Sequence, residues 1–138
     1  MKKYIVCTSI NKPTLAIKKF DLMKDWKLVV VGDKKTPKNY KLKNGIYLSP
    51  AKQEKIDKKL SDLIGWNCIQ RRNFGLIYAW KQGADIVAVV DDDNIPYKNW
   101  GKKLFINSKI KTTIHPYYFW NYFVGHKCMK SLKSIFKF

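Results

Sequence analysis

A chain of 138 residues with 46% hydrophobic and 14% aromatic side chains holds enough apolar mass for one folded core, which excludes a disordered chain. Its formal charge of +18, from 28 basic and 10 acidic side chains, favours an anionic partner: a phosphorylated small molecule, an anionic membrane surface or nucleic acid. No run approaches the ~18 apolar residues of a membrane span, and Cys7, Cys68 and Cys128 form no CxxC pair and read as reduced thiols in a cytoplasmic setting.

The N-terminal MKKYIVCTSI is too short in its apolar part for a signal peptide, and Tyr4 to Thr8 reads as a first strand with Cys7 in the core. Asn11-Lys12-Pro13-Thr14 turns the chain into a helical pattern from Leu15 to Met23. Leu28 to Val31 is a second strand, stopped by Gly32-Asp33. A polar, Lys-rich loop leads to a short third strand, Ile46 to Leu48. Ser49 as N-cap and Pro50 at the first helical position start a helix predicted to run unbroken to about Ile64, where Gly65 ends it. A further helix is predicted from about Cys68 to Gln82, closed by Gly83, and a fourth strand from Ile86 to Val90.

Continuous apolar strands alternating with helices predict an α/β fold: an open, mainly parallel sheet with helices on both faces. Residues 1–97 form this core. Residues 98–138 read as a basic, aromatic extension that packs on or extends the same domain. It carries a helical turn over Trp100 to Ile106, a strand over Thr112 to His115 and a basic amphipathic helix over 127–138 suited to a membrane surface or to ordinary packing.

In such a sheet, ligands bind outside the carboxyl ends of the strands, where strand order reverses. Those ends carry Thr8, Ser9 and Asn11, then Asp33, Lys34 and Lys35, then Asp91, Asp92 and Asp93. The first turn lacks GxGxxG, which disfavours a dinucleotide cofactor. Three adjacent carboxylates repel one another. A solvated turn is one explanation; a hard divalent cation, Mn²⁺ or Mg²⁺, is the other. In an extended segment alternate side chains share a face, so Asp91 and Asp93 can converge on one ion.

The only two arginines, Arg71 and Arg72, fall together before this strand. A planar fork suits phosphate better than an ammonium does; an ion pair with Asp85 or Asp62 is the alternative for each. Gly75 inside a helix costs about 1 kcal/mol against Ala, which points to close packing or close approach of a ligand.

The segments CTSINKPTLAIKKF, WKLVVVGDKKTP, IYLSPAKQEK, RRNFGLIYAWKQGADIV and DDDNIP, in this order, resemble the STELLO-type glycosyltransferase-like family over about Lys3 to Tyr97. The UDP-arabinopyranose mutase family is a more distant resemblance, through its Arg-x-x-Gly helix and DDD motif. The resemblance implies the nucleotide-sugar-binding half of a GT-A, Rossmann-like fold. It implies that Thr8 and Ser9 lie beside the nucleoside, with Asn11 on the same loop, and that Asp33 bonds the base or ribose. Arg72, Asn73 and Gly75 face the nucleotide. Asp91 and Asp92 reach the ribose or the metal's water shell, and Asp93, with Asp91, ligates a Mn²⁺ or Mg²⁺ that bridges the diphosphate of a nucleoside-diphosphate sugar, a UDP-sugar.

All ten acidic residues lie at or before Asp93. The carboxylate base that an inverting transferase uses on its acceptor therefore has no candidate after the triple Asp. His115 and His126 are the titratable substitutes near neutrality; packed or surface histidines are the alternative. The leading expectation is a metal-dependent glycosyltransferase acting on an unknown acceptor, with the anomeric outcome open. The second is a nucleotide-sugar-binding or partner-binding domain without full turnover. A basic nucleic-acid module is the third, and nucleic acid is not expected, because three carboxylates sit badly beside phosphates. Peripheral contact with a membrane through 127–138 completes the expected setting.

Overall fold

The computed structural model describes residues 1–102 and Leu104. The chain divides into two units, Met1–Trp100 and Gly101–Phe138, and the architecture below is that of the first. The strand expected over Thr112 to His115, the amphipathic helix over 127–138, both histidines, and Lys103, Phe105 and Ile106 of the turn expected over Trp100 to Ile106 lie outside the described residues.

Four strands, β1 (Lys3–Thr8), β2 (Lys27–Val31), β3 (Ile46–Leu48) and β4 (Ile86–Val90), pair in the order β3-β2-β1-β4, all parallel. The register sets Thr8 against Val31, Val31 against Leu48 and Cys7 against Val90. This is the open parallel α/β sheet that the apolar runs predict. The chain moves one way from β1 to β3, then crosses back to lay β4 on the other side of β1. Strand order therefore reverses between β1 and β4.

The central strands are buried on both faces. Ile5, Cys7, Leu28 and Val30 pack with Ala16, Ile17 and Phe20 of α1 (Leu15–Asp21). On the other face Val6, Val29 and Val31 pack with Phe74 and Ala79 of α4 (Arg72–Lys81). Trp100 lies edge-on to Phe20, ring centroids 5.0 Å apart, and against Trp26 at 5.1 Å. The chain thus stays with this core through Trp100.

Helix ends follow their capping residues. The Thr14 hydroxyl accepts from the Ile17 N–H at 3.2 Å and starts α1. Ser49 caps α2 (Pro50–Ile56) by accepting from Lys52 N–H at 3.4 Å. The single helix expected from Ser49 to Ile64 is in fact two, because Asp57 adopts an extended backbone. Its carboxylate accepts from Leu60 N–H at 2.8 Å and starts α3 (Lys58–Ile64) afresh. The helix expected from Cys68 begins instead with a 3₁₀ turn, Ile69–Arg71, before α4.

Between β2 and β3 the long polar loop is held by a buried carboxylate. Asp21 accepts from the backbone N–H groups of Lys43 at 2.5 Å, Asn44 at 3.1 Å and Gly45 at 2.5 Å. One side chain thereby satisfies three backbone donors at the entry to β3.

Candidate functional site

The reversal of strand order places a cleft of about 400 Å³ at the carboxyl ends of β1 and β2. Thr8, Ser9 and Asn11 line it from the loop after β1, Asp33 and Lys35 from the loop after β2, and Asp92 from the turn after β4. Asn67, Cys68 and Arg71, from the segment ahead of α4, complete the wall.

Ser9 ties the first loop to the last. Its hydroxyl donates to Asp92 Oδ2 at 2.6 Å, and Asn11 Nδ2 donates to the same oxygen at 3.1 Å. The Thr14 hydroxyl donates to the Asp92 carbonyl oxygen. Asn11 N–H in turn donates to Ser9 Oγ at 3.2 Å. The second loop is fixed by Thr36, whose hydroxyl donates to the Ser9 carbonyl at 2.7 Å and accepts from Asp33 N–H at 2.7 Å.

Asp33 is buried, 6% exposed. Its Oδ1 accepts from Lys34 N–H at 2.6 Å and its Oδ2 from Asn67 N–H at 2.9 Å. Asn67 has φ 59°, the left-handed region that Asn tolerates better than most residues. Asp33 therefore pins the two walls of the cleft together and keeps one lone pair on each oxygen for a ligand.

The triple Asp departs from the expected geometry. Asp91 to Asn94 is a turn, closed by Asn94 N–H to Asp91 carbonyl at 3.4 Å, and not a continuation of the strand. The alternation that brings Asp91 and Asp93 to one face in an extended segment does not apply to this turn. Asp92 faces inward; Asp91 and Asp93 are exposed. Asp91 Oδ1 accepts from Arg72 Nη2 at 2.5 Å, and Asp93 makes no hydrogen bond among the described residues.

The donor chemistry sets what a cation can find here. Among the described residues no group of three or more His, Cys, Asp and Glu side chains is arranged to hold an ion. A Mn²⁺ or Mg²⁺ that takes one or two carboxylates and completes its shell with phosphate oxygens and water is compatible with Asp91 and Asp93. Asp92 Oδ2 is already engaged by Ser9 and Asn11. The field of the three carboxylates reaches the core. Burial pushes the Cys7 thiol up to about 12; Asp92, Asp91 and Asp93 add to that, and Arg72 opposes it.

Two residues expected to face the nucleotide lie elsewhere. A Cβ on Gly75 would meet Val6 Cγ1 and, at 2.8 Å, Val31 Cγ2, so the glycine lets α4 approach the sheet and does not serve the cleft. Asn73 is exposed on α4 and is not part of the cleft wall. Arg71 forms neither of the ion pairs weighed for it. Asp62 pairs with Lys58 at 3.3 Å, and Asp85 lies 3.9 Å from the N-terminal amine. Arg71 instead turns inward to neutral partners and lines the cleft. Sequence reasoning also passed over Asn67, whose signal was the Gly65-Trp66-Asn67 turn after a helix.

No helix among the described residues is long and apolar enough to cross a membrane. No protein-family model matches the chain. Over 91 residues, 66% of this chain, it is 29% identical to the probable glycosyltransferase STELLO2 of Arabidopsis thaliana. It is 28% identical over the same length to the probable glycosyltransferase STELLO1 of that plant. The chain spans 12% of the length of these curated relatives. The chain thus bears a distant similarity to part of the STELLO probable glycosyltransferases.

Proposed function

We propose that the cleft binds a nucleoside-diphosphate sugar, a UDP-sugar, and that the chain is the donor-binding part of a metal-dependent glycosyltransferase. One arrangement carries the reading. The Ser9–Asp92 bond joins the ends of β1 and β4 where strand order reverses, and the Arg72–Asp91 pair lies one residue away. Carboxylates for a cation and a guanidinium for phosphate so meet on the turn whose Asp92 lines the cleft, with Arg72, Asp91 and Asp93 outside the cleft wall. The similarity to probable glycosyltransferases over 91 residues supports it.

In this reading Thr8 and Asn11 offer polar groups to the nucleoside, and Asp33 accepts from the base or ribose. Arg72 exchanges Asp91 for phosphate oxygens, and Asp91 and Asp93 hold Mn²⁺ or Mg²⁺. That ion, when bound, acts as a Lewis acid on the departing diphosphate. The base that would act on the acceptor hydroxyl is not assigned in this reading. A second reading is a donor-binding domain without full turnover. Membrane contact through 127–138 belongs to the proposal as a peripheral attachment.

A thermal-shift panel of nucleoside diphosphates and their sugars, with and without Mn²⁺, tests this. Stabilisation that needs both nucleotide and ion, and is lost in Asp91→Asn/Asp93→Asn, is expected. Release of free diphosphate separates the transferase from the non-turnover domain. Stabilisation by an oligonucleotide alone, indifferent to Mn²⁺, overturns both.

A further inference from the structure

α1 buries Ala16, Ile17 and Phe20 against the sheet, yet Leu15 and Leu22 are each 57% exposed. Leu15, Lys18, Lys19 and Leu22 follow one another at i, i+3, i+4 and i+7, which puts them on one side of the helix. Lys12 ahead of the helix and Lys24 behind it are exposed as well. The carboxylate of α1 itself, Asp21, is buried and accepts from the backbone N–H groups of Lys43, Asn44 and Gly45. It holds the exposed Lys43 beside the helix end and offers the outer face no counter-charge.

The sheet divides the charge of this unit. Residues 11–45, which supply α1 and the long polar loop, hold ten lysines and three carboxylates. Asp21 and Asp33 are buried, which leaves Asp25 as the exposed carboxylate of the segment. Residues 46–97 hold seven basic and seven acidic side chains. α1 packs on one face of the sheet with Trp26, Tyr40 and Leu42, whereas Ile56 of α2, Leu60 of α3 and Phe74 of α4 pack on the other. One layer is thus strongly cationic and the other balanced.

Exposed leucines leave apolar surface in water, and lysines set around them repel one another. A bilayer with anionic headgroups relieves both, because it offers acyl chains beneath a layer of negative charge. Nucleic acid relieves the repulsion alone. Its phosphates suit the planar fork of arginine better than an ammonium, and none of the ten basic residues in 11–45 is an arginine.

We propose that the outer face of α1 docks on an anionic bilayer, with Leu15 and Leu22 entering the headgroup boundary and Lys12, Lys18, Lys19 and Lys24 lying among the phosphates. None of these six side chains lines the cleft, so the inference stands apart from the nucleotide reading and from the contact ascribed to 127–138. The Thr14 hydroxyl that starts α1 donates to the Asp92 carbonyl oxygen, so the docked helix carries the cleft alongside the bilayer.

The test is flotation of the full chain with vesicles of phosphatidylcholine alone and of phosphatidylcholine mixed with phosphatidylglycerol. Binding is expected to the anionic vesicles only, and it weakens as salt rises. Lys18→Glu/Lys19→Glu is expected to lower the affinity about tenfold or more. Leu15→Ser/Leu22→Ser, which leaves every charge in place, is expected to lower it about threefold or more. UDP binding, unchanged in both variants, reports an intact cleft. Should a variant fail to fold, the wild-type chain decides through vesicles with a nitroxide on the headgroup: broadening of the Leu15, Lys18, Lys19 and Leu22 amides supports the docking face, and broadening confined to other residues overturns it. Vesicle binding that neither double variant weakens overturns the proposal, as does the absence of binding. Sensitivity to the lysine pair with indifference to the leucine pair also overturns it, because a cationic surface without lipid insertion explains that result.

Discussion

The Ser9 hydroxyl donates to the Asp92 carboxylate at 2.6 Å, joining residues 83 positions apart. It is a charge-assisted bond between the loops that leave β1 and β4, and with Asn11 it makes Asp92 the architectural member of the triple Asp. Asp92→Ala removes the acceptor of both side chains and is expected to cost about 1–3 kcal/mol. Ser9→Ala is expected to cost less, about 1 kcal/mol. Urea unfolding of both variants checks the order; an unaltered midpoint in Asp92→Ala contradicts it.

Gly75→Ala sets helix propensity against packing. Propensity favours the alanine by about 1 kcal/mol. The new methyl would press on Val6 and Val31, and overpacking of this kind costs about 1–3 kcal/mol. A net loss of stability is expected. Pairing it with Val6→Ala should cost less than the sum of the two single changes, as expected of side chains in contact.

Arg72→Met should act with opposite signs on two ligands. The guanidinium pairs with Asp91 at 2.5 Å and competes there with any cation. Its removal is expected to tighten Mn²⁺ binding in the absence of nucleotide by a few fold, on the order expected of an exposed pair. Nucleoside-diphosphate affinity should fall. Calorimetry with each ligand alone reads both effects; a fall in both affinities contradicts the exchange of Asp91 for phosphate.

Alkaline pH should destabilise the fold through Cys7 and Tyr40. Burial raises the Cys7 thiol from 9.0 to about 12. Between those values the folded chain keeps a proton that the unfolded chain has lost, so stability is full below pH 9 and falls as pH climbs toward 12. The Tyr40 phenol, raised chiefly by burial, adds in the same direction. Melting temperatures from pH 8 to 11 should decline, and Cys7→Ala should decline less steeply.

The sheet was legible because each strand is a continuous apolar run bounded by polar turn residues, as LVVV before Gly32-Asp33 illustrates. The site was legible only as a location. Thr8, Ser9, Asn11, Asp33 and Asp92 share the cleft because strand topology puts their loops together. What each carboxylate does depends on partners far away in sequence. Asp57 looked like any polar residue on a helix until its side chain capped Leu60. Alternation along a strand does not describe Asp91 to Asp93, because a turn begins where the strand was expected to continue. Arg71 read as a fork for phosphate or as an ion-pair partner because burial of a guanidinium among neutral groups leaves no local pattern in the sequence.

The central claim is that the cleft shared by Ser9, Asp33 and Asp92 holds the nucleotide. The most direct measurement is an amide NMR titration of the ¹⁵N-labelled chain with UDP and Mg²⁺. The account predicts saturable shifts at the Ser9, Lys34, Asn67 and Asp92 amides, with α1 unmoved. Shifts confined to another surface, or none at millimolar UDP, contradict it.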